Sequence, residues 1–227
     1  MSPSDDDPFA VVAIDGPAAS GKSSTAQWVA RELGFCHVDS GALYRVATAA
    51  AIRTGVPPEE WTPRLVLEAA KAVTLSQVGT SMVPHLDGVS AEEEIRSPLV
   101  NGAVPRVARM QSVRTWVNEQ VRAVAAERNV VVDGRDMGTA VFPDAEVKVY
   151  LVADPWERAK RRLVQHLKRL PTDAEIAAET DRLVHRDAAD ATQSVQARDA
   201  ILIDTTSLMQ SEQVARIVAL ARAATGS

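Results

Sequence analysis

This chain of 227 residues has almost no cysteine: Cys36 stands alone. A single thiol excludes a disulfide framework and a cysteine-built metal cluster, and it fits a reducing compartment. Long apolar runs are missing too. None approaches the roughly 20 residues of a membrane-spanning helix, so no membrane partner is expected. Surplus positive charge is also lacking, since the formal net charge is −5. General affinity for nucleic acid needs a basic stripe, so no nucleic-acid partner is expected either. Lysine is scarce, with Lys22, Lys71, Lys148, Lys160 and Lys168 the only ones among 25 basic residues. Arginine forks suit phosphate, but codon bias gives the same excess, so positions must carry the argument. The start, Met1-Ser2-Pro3-Ser4-Asp5-Asp6-Asp7-Pro8, has neither the basic nor the apolar region of a signal peptide. Residues 1–8 are expected to form a disordered tail on a cytoplasmic, monomeric protein.

What the chain does have is Gly16-Pro17-Ala18-Ala19-Ser20-Gly21-Lys22-Ser23, which fits G-x-x-x-x-G-K-[ST] at every position and is followed by Ser24. Val11, Val12, Ala13 and Ile14 precede it as an apolar run, while Ala26, Val29, Ala30 and Leu33 mark one helix face after it. Strand, glycine turn and helix is the context this motif needs. The glycines let backbone N–H groups point at phosphate oxygens, and the helix N-terminus adds partial positive charge. Lys22 is expected to reach the β/γ-phosphates of ATP and Ser23 to ligate Mg²⁺.

Apolar strands alternate with helical patterns, which predicts an α/β fold: a P-loop NTPase with a parallel sheet flanked by helices. Strands are expected over 9–15, 35–38, 130–133, 147–152 and 200–204. Helices are expected after the loop and over 41–54, 104–128, 155–170, 173–188 and 211–223. Phe35-Cys36-His37-Val38 places Cys36 in a buried strand. Met110, Val113, Val117, Val121 and Val124 form one helical stripe, and Val214, Ile217, Val218 and Ala221 another. Residues 59–96 hold a short helix and two apolar patches around Gly79-Thr80, expected as a small antiparallel insertion. Arg158, Lys160, Arg161, Arg162, Lys168 and Arg169 make 158–175 dense in base. Val130-Val131-Val132-Asp133 is an apolar strand ending in a carboxylate, the form of a Walker-B strand, so Asp133 is expected to hold Mg²⁺ through water.

Asp133 runs into Gly134-Arg135-Asp136-Met137-Gly138-Thr139, and Val38-Asp39-Ser40-Gly41-Ala42-Leu43-Tyr44-Arg45 closes the second strand. With Val141-Phe142-Pro143-Asp144-Ala145, these runs resemble the bacterial cytidylate kinases of the nucleoside monophosphate kinase group, in order and over nearly the whole chain. The resemblance implies a kinase domain over 9–227. Its core would be 9–58 and 97–227, with a monophosphate-binding insertion at 59–96 and a lid at about 158–175. It also implies that Arg45, Arg114 and Arg135 clamp the acceptor phosphate, for which arginine is suited. Ser40 and Asp136 would read the pyrimidine, an acidic acceptor matching the cytosine N4 donor. Arg186 and Asp190 would hold the ribose. Arg158 and Arg162, with Arg161 at helical spacing between them, would close over the transferred phosphoryl beside Lys22.

Two positions depart from the family pattern. Pro105 stands where a serine usually helps to recognise cytosine, and Gln193 where an arginine usually follows the run from Asp187 to Asp190. The expected activity is transfer of the ATP γ-phosphoryl to CMP or dCMP. The alternatives are a paralogous kinase for a different or modified pyrimidine nucleotide and a catalytically silent nucleotide-binding protein.

Overall fold

The computed structural model describes residues 9–167, 169–191 and 194–226, so the expected tail at 1–8 and Gln193 lie outside the described residues. The chain forms two compact units. Cys36–Val130 is the body of one, called here the middle unit, while Ala10–Phe35 and Val131–Ser227 make up the P-loop unit.

In the P-loop unit, Val130–Gly134 (β6), Val11–Asp15 (β1), Val147–Val152 (β7) and Ile201–Asp204 (β8) lie side by side in that order. β1 runs parallel to β7 with Val12 opposite Val147 and Asp15 opposite Tyr150, and β7 parallel to β8 with Val149 opposite Ile201. Every residue of β1 and β6 is buried. Burial on both faces is why these strands read as unbroken apolar runs instead of alternating ones. Lys22–Leu33 (α1) packs on Gln210–Thr225 (α8), and the predicted stripe residues Ala26, Val29, Ile217 and Ala221 are fully buried in one core with Val12, Ile14 and Leu151. Pro155–Leu167 (α6) and Asp173–Asp190 (α7) pack together through Ala159, Ile176 and Leu183, with Ala18 in the same cluster. The basic segment expected as a lid is thus, where described, the body of α6 and the capped start of α7. Thr172 accepts from the Glu175 amide and the Glu175 carboxylate accepts from the Thr172 amide at 2.8 Å.

The middle unit holds Cys36–Asp39 (β2), Val73–Val78 (β3), Ser81–Leu86 (β4) and Val89–Ser90 (β5). β3 and β4 pair antiparallel from Val73–Leu86 to Val78–Ser81, and β4 pairs β5 across Asp87-Gly88. The two patches and the closing turn therefore form as the sequence suggests. β4 also runs parallel to β2, with His37 opposite Ser81, so the hairpin extends the unit's own sheet. Residues 59–96 do not form a separate body. Around them stand Ser40–Arg53 (α2), Pro63–Ala70 (α3), Pro98–Ala108 (α4) and Gln111–Ala125 (α5). Trp61 is buried among Val66, Val107 and Val113, and its indole N–H donates to Val56 O at 2.8 Å. Cys36 is buried, as expected.

One expectation fails in this unit. The single helix over 104–128 is two helices, because Met110 takes an extended backbone (φ −78°, ψ 109°) and opens α5. Val107, Val113, Val117 and Val121 are all fully buried, so the apolar period runs on across the break and cannot reveal it. Pro105 lies inside α4, where it withholds an N–H from the helix ladder.

Candidate active site

The loop between β1 and α1 is built on backbone conformations that most residues avoid. Gly16 has φ 151°, and a Cβ there would collide with the Leu151 carbonyl oxygen, so only glycine lets the loop lie against β7. Ala19 also takes positive φ, at 59°, and Gly21 turns the chain into α1. Lys22 Nζ folds back on this loop and donates to Pro17 O at 2.7 Å, with Ser20 Oγ at 3.5 Å. Ser20 is fully buried, and Ser24 Oγ donates to Gly21 O at 3.0 Å on the exposed side. The Ser23 hydroxyl donates to Asp133 Oδ2 at 2.6 Å, and Asp133 is buried at the end of β6. The two groups expected to serve Mg²⁺ therefore meet.

Among the described residues no cluster of three or more His, Cys, Asp or Glu side chains could hold a metal by itself. One hydroxyl and one carboxylate nevertheless fit Mg²⁺, which keeps several waters and takes its remaining oxygens from substrate phosphates.

Beyond Asp133 the chain delivers Arg135 and Asp136. Arg135 Nη2 pairs with Asp190 Oδ2 at 2.8 Å, whereas Nη1 is buried with no hydrogen-bond partner among the described residues. Arg186 Nε lies 3.6 Å from the same Asp190 oxygen, one turn away on α7. Asp136 is buried and precedes a single wide turn, Met137–Val141, closed by the Phe142 amide donating to Met137 O at 2.7 Å. The P-loop unit thus gathers Lys22, Ser23 and Asp133 in one group and Arg135, Arg186 and Asp190 in another.

The three arginines of α6 have different partners. Arg158 is buried: Nη1 donates to Asp187 Oδ2 at 2.6 Å and Ala18 O at 2.9 Å, and Nε to Ala153 O at 3.1 Å. The Ala18 amide in turn donates to Asp187 Oδ1 at 3.3 Å. Arg158, expected on a lid, is here packed as a brace on the phosphate loop. Arg161 donates to Thr205 O at 2.6 Å and Thr206 O at 3.0 Å. Arg162 Nε pairs with Glu179 Oε1 at 3.0 Å and keeps 31 % of its side chain exposed.

In the middle unit, Ser40 is buried at the first position of α2, behind the Asp39 carboxylate that accepts from the Ala42 amide at 3.0 Å. Arg45 is half-buried about one turn further along α2, and its Nη1 lies over Gly41. Arg114 is half-buried on α5 and donates to Ala108 O at 3.5 Å.

Sequence reasoning missed Asp187 and Asp15. Asp15 is buried at the end of β1 and accepts from the Met137 amide at 2.9 Å and the Gly138 amide at 2.8 Å. Burial pushes its carboxyl up to about 6, with Asp136 adding to the rise, while the two amides and Lys22 pull it down. The signal for it was available: Val11-Val12-Ala13-Ile14-Asp15 has the same form as the strand ending in Asp133.

A parallel-stranded α/β unit with this loop, a hydroxyl–carboxylate pair beside it and an arginine cluster beyond defines a P-loop nucleotide-binding protein of the phosphotransferase kind. The family model for cytidylate kinase matches residues 12–223. A cytidylate kinase of Oceanobacillus iheyensis is 40% identical over 206 residues, covering 88% of this chain and 89% of that one. One of Pelotomaculum thermopropionicum is 40% identical over 216 residues, covering 93% and 95%. One of Bacillus pumilus is 38% identical over 211 residues, covering 91% and 93%. The chain belongs to the cytidylate kinase family.

Proposed function

We propose that this protein transfers the γ-phosphoryl of ATP to CMP or dCMP, giving CDP or dCDP. The observation that carries the reading is Arg135: one guanidinium nitrogen is paired with Asp190, and the other is buried with no partner among the described residues. A charge-bearing N–H kept in that state is costly unless an anion comes to it. It lies two residues beyond Asp133, and an acceptor phosphate is the anion this family would bring.

The roles follow from the side chains. The loop Gly16–Ser23 holds the ATP phosphates through its backbone amides, Pro17 having none and the Ala18 amide turning to Asp187, and Ser24 lines the loop's exposed side. Lys22 leaves Pro17 O to meet the phosphoryl as charge grows on it. Ser23 and Asp133 hold Mg²⁺, which when bound with ATP neutralises phosphate charge. Arg45, Arg114 and Arg135 offer forks to the acceptor phosphate. Ser40 and Asp136 read the base, and Arg186 and Asp190 take the ribose hydroxyls. Arg162 is assigned to the transferred phosphoryl, whereas Arg158 shapes the loop from behind. No general base is needed, because a phosphate monoester with a second pKa near 6 is mostly dianionic at pH 7.

We read the enzyme as a monomer of the reducing cytoplasm. No helix among the described residues is long and apolar enough to cross a membrane. Pro105, which offers no hydroxyl inside α4, favours a second reading in which the acceptor is a different or modified pyrimidine nucleotide. Steady-state ADP release with CMP, dCMP, UMP and AMP separates the two. CMP and dCMP should exceed UMP by about tenfold or more, since one buried hydrogen-bond mismatch is worth roughly 1–3 kcal/mol. Equal or better turnover of UMP overturns the cytidine assignment.

A further inference from the structure

Asp15 has no place in the roles above, although it is one of the most buried carboxylates in the chain, with 4% of its surface exposed. Its two oxygens accept from two consecutive amides, Met137 at 2.9 Å and Gly138 at 2.8 Å. Consecutive N–H groups turned to one side make a concavity that binds anions. Here an internal carboxylate fills it. The same carboxylate ends β1, so the next residue is Gly16, the first of the phosphate loop. The two amides follow Arg135 and Asp136 directly, and the Asp136 carbonyl is itself tied down by the Ala140 amide at 2.8 Å. From the other side, the Lys148 side chain backs Gly138: a Cβ there would meet Lys148 Cγ and Cδ at 3.3 Å. Lys148 is pinned in turn by the Pro143 carbonyl and by Asp199 at 2.7 Å.

We infer that Asp15 is a positioning residue. It locks the Arg135-Asp136 turn to the strand that launches the phosphate loop, and so fixes the acceptor-reading groups against the donor loop. In this geometry each amide meets its own carboxylate oxygen, Met137 on Oδ1 and Gly138 on Oδ2. An asparagine supplies one oxygen and sets an NH₂ against the other donor. A displacement of about 1 Å in such a support costs up to roughly a hundredfold in rate. The inference rests on the reading of Arg135 and Asp136 as acceptor-side residues.

Asp15→Asn, Arg135→Ala and Gly138→Ala, each compared with wild type, test it. The measurements are KM for ATP, KM and kcat for the monophosphate that wild type turns over best, and melting temperature. For Asp15→Asn, kcat/KM for the monophosphate should fall about ten- to a hundredfold. KM for ATP should stay within about twofold and the melting temperature should hold or rise. Gly138→Ala, which crowds the same turn while keeping Asp15, should shift the monophosphate constants the same way by less. If Arg135→Ala leaves the monophosphate constants unmoved, the acceptor-side reading fails and the inference falls with it. If Arg135→Ala acts there and Asp15→Asn does not, the inference alone is overturned. A melting temperature that falls together with all the kinetic constants makes Asp15 structural only, which also overturns it. Should Asp15→Asn not fold, Gly138→Ala decides: the acceptor-side split supports the inference, and its absence overturns it.

Discussion

The phosphate loop and helix α6 both carry basic side chains beside the same stretch of backbone, yet they are held by different means. The loop takes its turn largely from its own backbone: Gly16, which leaves room for the Leu151 carbonyl of β7, positive φ at Ala19, and the start of α1. Helix α6 takes its meaning from elsewhere. Arg158 is fixed by Asp187 of α7 and by Ala18 of the loop, Arg161 by the Thr205 and Thr206 carbonyls, and Arg162 by Glu179. Local geometry can be read from a motif. A partner on another element cannot. On the proposed mechanism the loop's lysine is a reacting group, while Arg158 is part of the frame.

That contrast breaks if the two cations behave alike. Lys22→Ala should lower kcat by about 10²–10³ while leaving the melting temperature within a degree or two, because it removes charge neutralisation in the transition state and no packing. A variant within about threefold of wild type would remove Lys22 from the chemistry. Arg158→Ala should do the opposite and destabilise by about 3 kcal/mol. It strands Asp187 and opens the Ala18 carbonyl, and the partial exposure of Asp187 keeps the loss at the low end for a buried pair. Denaturant unfolding measures this, and an unchanged midpoint would return Arg158 to a mobile lid.

Asp15 sharpens the comparison as a group whose charge costs stability. Its folded pKa of about 6 lies above the ordinary carboxylate value, so the folded state holds this proton more tightly than the unfolded chain. Its contribution to stability therefore rises as pH falls from about 6 to about 4, by up to roughly 2–3 kcal/mol, and is lost again as pH rises through 6. Asp15→Asn should flatten that part of the stability profile. An unaltered profile would mean that Asp15 titrates as an ordinary carboxylate. Arg162→Ala is the smallest change expected, about 0.2–1 kcal/mol of stability, since its pair with Glu179 is only partly buried. Its effect should be on turnover; loss of stability matching that of Arg158→Ala would make both arginines braces.

Where structure is local, the sequence makes it legible. The loop, the buried strands β1, β6 and β7, the α8 stripe and the hairpin at 73–86 all form near their expected limits, because period and turn residues specify them directly. Legibility ends at Met110, where an unbroken apolar period hides a backbone kink, and at β4, whose parallel pairing with β2 leaves no local mark. In the site, Lys22, Ser23 and Asp133 could be placed from the motif and strand pattern, and Ser23 meets Asp133 as they require. Asp187 and Asp15 could not be assigned their partners. An acid says nothing by itself about which amide or guanidinium it will face after folding.

The γ-phosphoryl of ATP held by the phosphate loop ends on a cytidine monophosphate. Incubating the protein with Mg²⁺, ATP labelled at the γ-phosphate and CMP, then separating the nucleotides, tests it directly. The label should appear in CDP, depend on added CMP, and disappear in Lys22→Ala. Label released as inorganic phosphate, or retained in ATP at every CMP concentration, would contradict the account.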